Sequence, residues 1–234
     1  SSSAIINQAK GIRYSFDKDS GLMYCSKLKE PISLKFTRAA IDNDIALSIF
    51  VSFYKLLTPV NICIRAEKSL KVSRISINSS LLTVEYKMNN LKKLIVSYRM
   101  LSDGGMLIEA ETLPVVDMVK FGMTFGLYND FCDISMYGRS ENENYIDRKS
   151  GTKINLKSGS IEDFSHSYMR PQENGNHCDV RWMSVSNGSD KVKLTAMSSN
   201  LLSVSIQKNS ADETDAAQHI HELPSFKTVW VNAD

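Results

Sequence analysis

Between residues 71 and 113 apolar and polar side chains largely alternate, and short polar clusters break the run into pieces of strand length. Val72, Ile75 and Ile77 lead into Asn78-Ser79-Ser80, and Leu82, Val84, Tyr86 and Met88 run to Asn89-Asn90. Leu94, Val96, Tyr98 and Met100 run to Ser102-Asp103-Gly104-Gly105, after which Met106, Ile108 and Ala110 continue. Successive strand side chains point to opposite faces, so each piece carries one buried and one wet face. Connections this short join antiparallel neighbours, because parallel ones need crossovers of a dozen or more residues. The run predicts an antiparallel meander.

The same pattern predicts a hairpin from Ile12–Phe16 and Leu22–Cys25 around Asp17-Lys18-Asp19-Ser20-Gly21. Further strands are expected at 121–127, 131–137, 192–197 and 201–207, the last two flanking Ser198-Ser199-Asn200. Helix signal is scarce, with one short turn expected over Ala216-Ala217-Gln218-His219 after Asp215 as N-cap. Many short strands in one run predict a two-sheet sandwich. At 234 residues the chain can bury roughly 70% of its unfolded surface without disulfides or metals. A net charge of +2 makes no electrostatic case for nucleic acid or an anionic membrane as partner. No run approaches the ~18 apolar residues of a membrane span. Cys25, Cys63, Cys132 and Cys178 have no short spacing and read as buried free thiols.

Two segments depart from strand patterning. Residues 137–153 are crowded with Arg, Glu, Asn and Tyr, and residues 168–182 are equally polar. Long polar connections in a β-domain are usually either functional or structurally over-determined. Arg170-Pro171-Gln172-Glu173-Asn174-Gly175-Asn176 with Asp179-Val180-Arg181-Trp182 resembles the "RPQENGN…DVRW" segment of the C-terminal domain of family-two β-galactosidases. Tyr137-Gly138-Arg139, Glu143-Asn144-Tyr145 and Asp147-Arg148 are similar to that domain's "YGRGP.ENY.DR". Phe36-Thr37-Arg38-Ala39 with Asp42-Asn43-Asp44 is similar to its "FTRAP.DND". The three motifs occur in family order, and the resemblance covers about 10–234, with residues 1–9 as an N-terminal extension. Ser140-Glu141 stands where the family has Gly-Pro, and Phe53-Tyr54-Lys55 occupies a stretch where it carries a Trp. The family pattern continues into a "GGD.SW" motif beyond Asp234, so the chain reads as a domain lacking its last segment.

The resemblance implies a large antiparallel β-sandwich of the galactose-mutarotase-like (supersandwich) type. It also implies a non-catalytic role, buttressing one side of the pocket of an enzyme that hydrolyses terminal β-D-galactosyl residues with retention. The catalytic carboxylates would lie in a TIM barrel, which needs about 250 residues of its own, so this chain alone is expected to be inactive. The implied partners are the rest of the β-galactosidase polypeptide or a large subunit, with β-galactosides bound by the intact enzyme. A small subunit of a two-chain β-galactosidase and a free-standing carbohydrate-binding or mutarotase-like module are the alternatives. The resemblance implies divalent or sodium ions for the parent, with no cofactor and no metal ligand assignable to numbered residues here. A homo-oligomeric parent and the compartment, cytoplasmic or periplasmic, are left open.

Candidate site residues follow from the motifs. Arg139, Glu143, Asn144, Tyr145, Asp147, Arg148, Arg170, Glu173, Asn174, Asn176, Asp179 and Arg181 form either a sugar-facing surface or a structural polar network. The planar guanidinium fork suits paired carboxylates, which favours the network, and Arg170→Ala is then expected to lower stability. Glu141 and Glu143, two residues apart, mimic the close carboxylates of a retaining glycosidase. The preferred reading instead pairs Glu143 with Arg139 or Arg148 and leaves Glu141 solvated. His219 and His221, even with Cys178 or His177, fall short of a zinc ligand set in spacing.

Overall fold

The computed structural model describes residues 5–44, 59–89, 91–114 and 118–234. The Phe53-Tyr54-Lys55 stretch lies outside them. The chain divides into two compact units, residues 1–37 with 46–121, and 38–45 with 122–234. Among the described residues, the strand pairings within each unit are antiparallel, and the expected all-β fold class is the one found.

In the first unit β1 (Ile5–Ala9), β2 (Ile12–Phe16), β3 (Met23–Cys25) and β4 (Glu30–Lys35) lie side by side in chain order. The meander is β5 (Lys71–Asn78), β6 (Leu81–Met88), β7 (Leu91–Met100) and β8 (Met106–Pro114), also in chain order. The alternation does what periodicity requires. Leu82, Val84, Tyr86 and Met88 are buried, as are Leu94, Val96 and Tyr98, and they pack with Phe16, Met23 and Phe36 into one core. Burying a side chain of this size stabilises by roughly 1.5–3 kcal/mol. In β5 the register slips between Val72 and Arg74, which brings Val72 and Ile75 to the same, core-facing side, while Ile77, near the end of the strand, is exposed. The buried hydroxyls stay satisfied, because Tyr14 donates to the Gly104 carbonyl (2.8 Å) and Tyr86 to that of Gly21 (3.2 Å).

One helix, α1 (Pro59–Lys68), is not expected from the strand pattern, although Pro59 at its first position and Arg65 and Lys68 in its last turn suit a helix. Its Glu67 accepts from Lys35 Nζ (2.8 Å), the Phe36 amide (2.9 Å) and Thr37 Oγ1 (3.1 Å), tying the helix to the end of β4.

In the second unit β9 (Gly122–Tyr128), β16 (Thr228–Ala233), β15 (Leu202–Gln207) and β12 (His177–Val180) are neighbours in that order. The other four run β11 (Ile154–Gly159), β10 (Asp133–Arg139), β13 (Trp182–Ser186), β14 (Lys191–Thr195). Their inward residues, among them Leu127, Met136, Val180, Met183, Val204 and Val231, are almost wholly buried. Close approach of β10 to β12 requires Gly138, since a Cβ there would sit 2.8 Å from Val180 Cγ2 and 2.9 Å from its Cα.

Two expectations are corrected. The short helix, α2, spans Ala211–Ala216, and Ser210 rather than Asp215 caps it: Ser210 Oγ accepts from the Glu213 amide (3.2 Å) while Glu213 accepts from the Ser210 amide (2.7 Å). The reciprocal Ser-x-x-Glu box satisfies two orphan donors and outcompetes a lone Asp. All four cysteines are free, but only Cys63 and Cys178 are buried; Cys25 is half-buried and Cys132 is exposed, on the turn between β9 and β10.

Candidate functional site

The second motif begins as β10 ends. Arg139 Nε donates to Asp179 Oδ2 (2.6 Å), and its Nη1 donates to the carbonyls of Thr152 (2.6 Å) and Lys149 (3.1 Å), closing the loop 140–153 onto its own root. Lys149 Nζ takes the other Asp179 oxygen at 2.9 Å. Asp179 has a left-handed φ of +53° and sits in a register shift between His177 and Val180, where β12 meets β15. Such a backbone is unfavourable for a non-glycine residue, and the two cations fix its side chain. Lys149 first, then Arg139, hold the Asp179 carboxyl below the usual carboxylate range. The Arg181 guanidinium donates to the Asp179 carbonyl (2.6 Å) and lies 5.6 Å from the Tyr137 ring centre.

The third motif folds against the second. Asn144 is fully buried: Nδ2 donates to the carbonyls of Asn142 (2.9 Å) and Arg139 (3.1 Å), and Oδ1 accepts from the Cys178 amide (2.8 Å). Its own amide donates to the Asn176 carbonyl (2.7 Å), while Asn176 Nδ2 donates back to the Asn144 carbonyl (2.8 Å). Glu143 accepts from the Gly175 amide (2.8 Å), from the Tyr168 hydroxyl, and at 3.5 Å from the Tyr145 hydroxyl. That bond to the carboxylate pushes the Tyr168 hydroxyl up to about 12, and burial followed by the neighbouring Glu143 raises Tyr145. Gly175 has φ +68°, and a Cβ there would lie 2.4 Å from the Phe164 carbonyl oxygen, so only glycine fits. His177, 1% exposed, holds the Arg139 carbonyl at Nδ1 (2.8 Å), which puts the neutral ring's proton on Nδ1. Burial pushes its imidazole down from 6.5 to about 4.

The first motif joins through its backbone. Glu173 Oε2 accepts from the Ala39 amide (3.1 Å), Gln172 Oε1 from the Asp42 amide (3.0 Å) and Asp215 Oδ1 from the Ala40 amide (2.6 Å). Arg38 pairs with Asp44 at 2.7 Å. Asn174 accepts from the His166 amide (3.2 Å) and donates to the Gln172 carbonyl (2.9 Å).

Three motifs, the first separated by 130 residues or more from the side chains of the third that hold it, thus meet in one hydrogen-bonded network. Arg139, Glu143, Asn144, Tyr145, Glu173, Asn174, Asn176, Asp179 and Arg181 belong to it. Asp147 and Arg148 do not join it through side-chain hydrogen bonds: both side chains are exposed, and Arg148 donates its amide to the Tyr145 carbonyl (2.8 Å). Arg170 is half-buried, with a buried Nε that has no hydrogen-bond partner. Glu143 binds two tyrosines and a peptide N–H, not Arg139 or Arg148 as expected, because Arg139 is turned to Asp179 and the Arg148 side chain is exposed; Glu141 is exposed as expected. Lys149 and His177 were missed. Nothing in the sequence distinguishes Lys149 from a surface lysine, while His177 lies inside the third motif and carried a signal.

Among the described residues no three His, Cys, Asp or Glu side chains are grouped to hold a metal ion. His219 and His221 stack on each other with ring centres 5.5 Å apart.

Comparisons with known proteins agree with the motifs. The chain is similar to proteins named Beta-galactosidase from Priestia megaterium (29% identical over 99% of this chain and 22% of the relative) and Halalkalibacterium halodurans (26%, over 90% and 22%). A third, from Streptococcus thermophilus, is 27% identical over 85% of this chain and 20% of its own length. The chain therefore spans about a fifth of the length of the curated relatives it matches. A family model described as "Beta galactosidase small chain" matches residues 7–234, and the chain belongs to that family.

Proposed function

We propose that residues 10–234 form the non-catalytic C-terminal β-sandwich part of a β-galactosidase. In the intact enzyme it would buttress one side of the pocket where terminal β-D-galactosyl residues are cleaved with retention. The names of the relatives support the enzyme class. The buttressing role rests on the direction of the hydrogen bonds: Glu143, Asn144, Glu173 and Asn176 are turned to main-chain groups of neighbouring loops. Polar side chains used this way hold loop shape and are not free to take a ligand. A retaining glycosidase needs two carboxyl groups about 5 Å apart, open to one glycosidic bond. Glu143, engaged by two hydroxyls and a peptide N–H, does not offer that role.

The partner in this reading is the remainder of the polypeptide, whose TIM barrel carries the catalytic carboxylates and any ions the chemistry needs. A second reading, the small subunit of a two-chain enzyme, draws on the family's own description as a small chain. Both make the chain dependent on a larger partner. Assayed alone against a nitrophenyl β-galactoside, the purified chain is expected to release no nitrophenol above buffer. Turnover that disappears in a folded Glu143→Gln variant would overturn the non-catalytic reading.

A further inference from the structure

The chain holds two Asn-Gly pairs, Asn174-Gly175 and Asn187-Gly188, and the fold gives them opposite surroundings. In such a pair the glycine peptide nitrogen is held beside the asparagine side-chain carbonyl carbon, and no side chain on the glycine screens its approach. Gly175 is locked out of that attack. Its N–H is donated to Glu143 (2.8 Å), and its backbone is packed against the Phe164 carbonyl. Asn174 is itself tied to the His166 amide (3.2 Å) and the Gln172 carbonyl (2.9 Å).

Asn187 stands half-buried in the turn between β13 and β14, with Gly188, Ser189 and Asp190 exposed after it. Gly188 has φ +86°, and nothing lies within 4 Å of the place a Cβ would take. Among the described residues no acceptor takes the Gly188 amide. Asn187 Oδ1 accepts from the amides of Ser189 (3.1 Å) and Asp190 (2.8 Å), while Nδ2 donates to Asp130 Oδ2 (2.9 Å). These partners fix the plane of the side-chain amide. Addition of a nucleophile to Cγ builds negative charge on Oδ1, and two peptide donors already point at that atom, as in an oxyanion hole.

We propose that Asn187 is a self-modifying site, converted through an imide to aspartyl and isoaspartyl forms with water as the co-reactant. The Gly188 nitrogen bonds to Asn187 Cγ and gives up its proton. The Cγ–Nδ2 bond breaks, and the side-chain nitrogen takes up that proton and leaves as ammonia. Water then opens the imide: attack at Cγ gives aspartate, and attack at the main-chain carbonyl gives an isoaspartyl linkage. The product no longer donates to Asp130 and sets a second carboxylate against it, so the tie between this turn and the β9–β10 turn becomes a repulsion. The isoaspartyl form also adds a methylene to the main chain beside the Ser186–Lys191 pair that closes the hairpin. The site is separate from the motif network and does not depend on the buttressing role.

The test is peptide mapping by mass spectrometry of the whole chain, kept folded at mildly alkaline pH and physiological temperature beside a sample in denaturant. In the folded chain Asn187 should convert about tenfold or more faster than Asn174, and both should convert in denaturant. Folded Asn187 should match or exceed its own rate in denaturant. Gly188→Ala, whose methyl screens the attacking nitrogen, should slow conversion about tenfold or more. Alanine is strained at this φ, and the comparison of the two pairs in the unaltered chain stands if that variant unfolds. An Asn187 that stays intact, an Asn174 that converts as fast in the folded chain, a folded Asn187 slower than in denaturant, or an undiminished rate in folded Gly188→Ala would each overturn the assignment.

Discussion

Asn144 holds three main-chain groups with its side-chain amide, two carbonyls and one peptide N–H, at a site closed to water. Asn144→Ala would leave those groups buried and unpaired, each at about 1–3 kcal/mol. We expect the variant to lose about 3 kcal/mol or more in denaturant unfolding, and a loss within experimental error would mean water reaches the site. Arg170, with its unpartnered Nε, is no such linchpin, so Arg170→Ala should cost well under half as much. His177 gives a pH signature. Its folded value of about 4 lies below the ordinary 6.5, so the unfolded chain binds more protons between those values. Its contribution is complete above about pH 6.5 and is lost as pH falls towards 4, to a limit of roughly 3 kcal/mol. Imidazole NMR resonances of His177 should stay constant until near pH 4; titration around 6.5 would show that the ring is solvated.

At the scale of elements, backbone constraint separates one glycine from another. Gly175→Ala meets both a left-handed φ and the Phe164 carbonyl, whereas an added Cβ at Gly151 meets nothing within 4 Å. Thermal melts should show a drop of several degrees for the first and little change for the second. Ser210→Ala should cost about 1 kcal/mol by uncapping α2. The meander and the 12–25 hairpin were legible because side-chain period and turn chemistry agreed there. α1 was not: among its described positions only Cys63 and Ala66 are buried, and two small residues leave no apolar stripe to read. The cap was misread although Ser210-x-x-Glu213 stood in the sequence. The motifs announced a network, but the partners of Glu143 were invisible, because charge complementarity suggests arginine and the fold supplies tyrosine hydroxyls and a peptide N–H.

For the whole molecule, the two units each carry a buried thiol, Cys63 in one and Cys178 in the other, while Cys132 is exposed. A thiol reagent should label Cys132 at once in the native protein and reach Cys63 and Cys178 only on unfolding. Mass spectrometry of the two protected sites then reports each unit's opening separately; rapid native labelling of Cys178 would contradict the packing around Asn144. The network grips its loops by their peptides. Asp42 and Asn142 have exposed side chains and are held by an amide and a carbonyl that nineteen amino acids supply equally at Asn142, and all but proline at Asp42. Mutational drift should therefore fall freely on the gripped positions and be purged at the gripping ones, Asn144 and Gln172. A lineage could rewrite much of these loops' lettering and inherit the same shape.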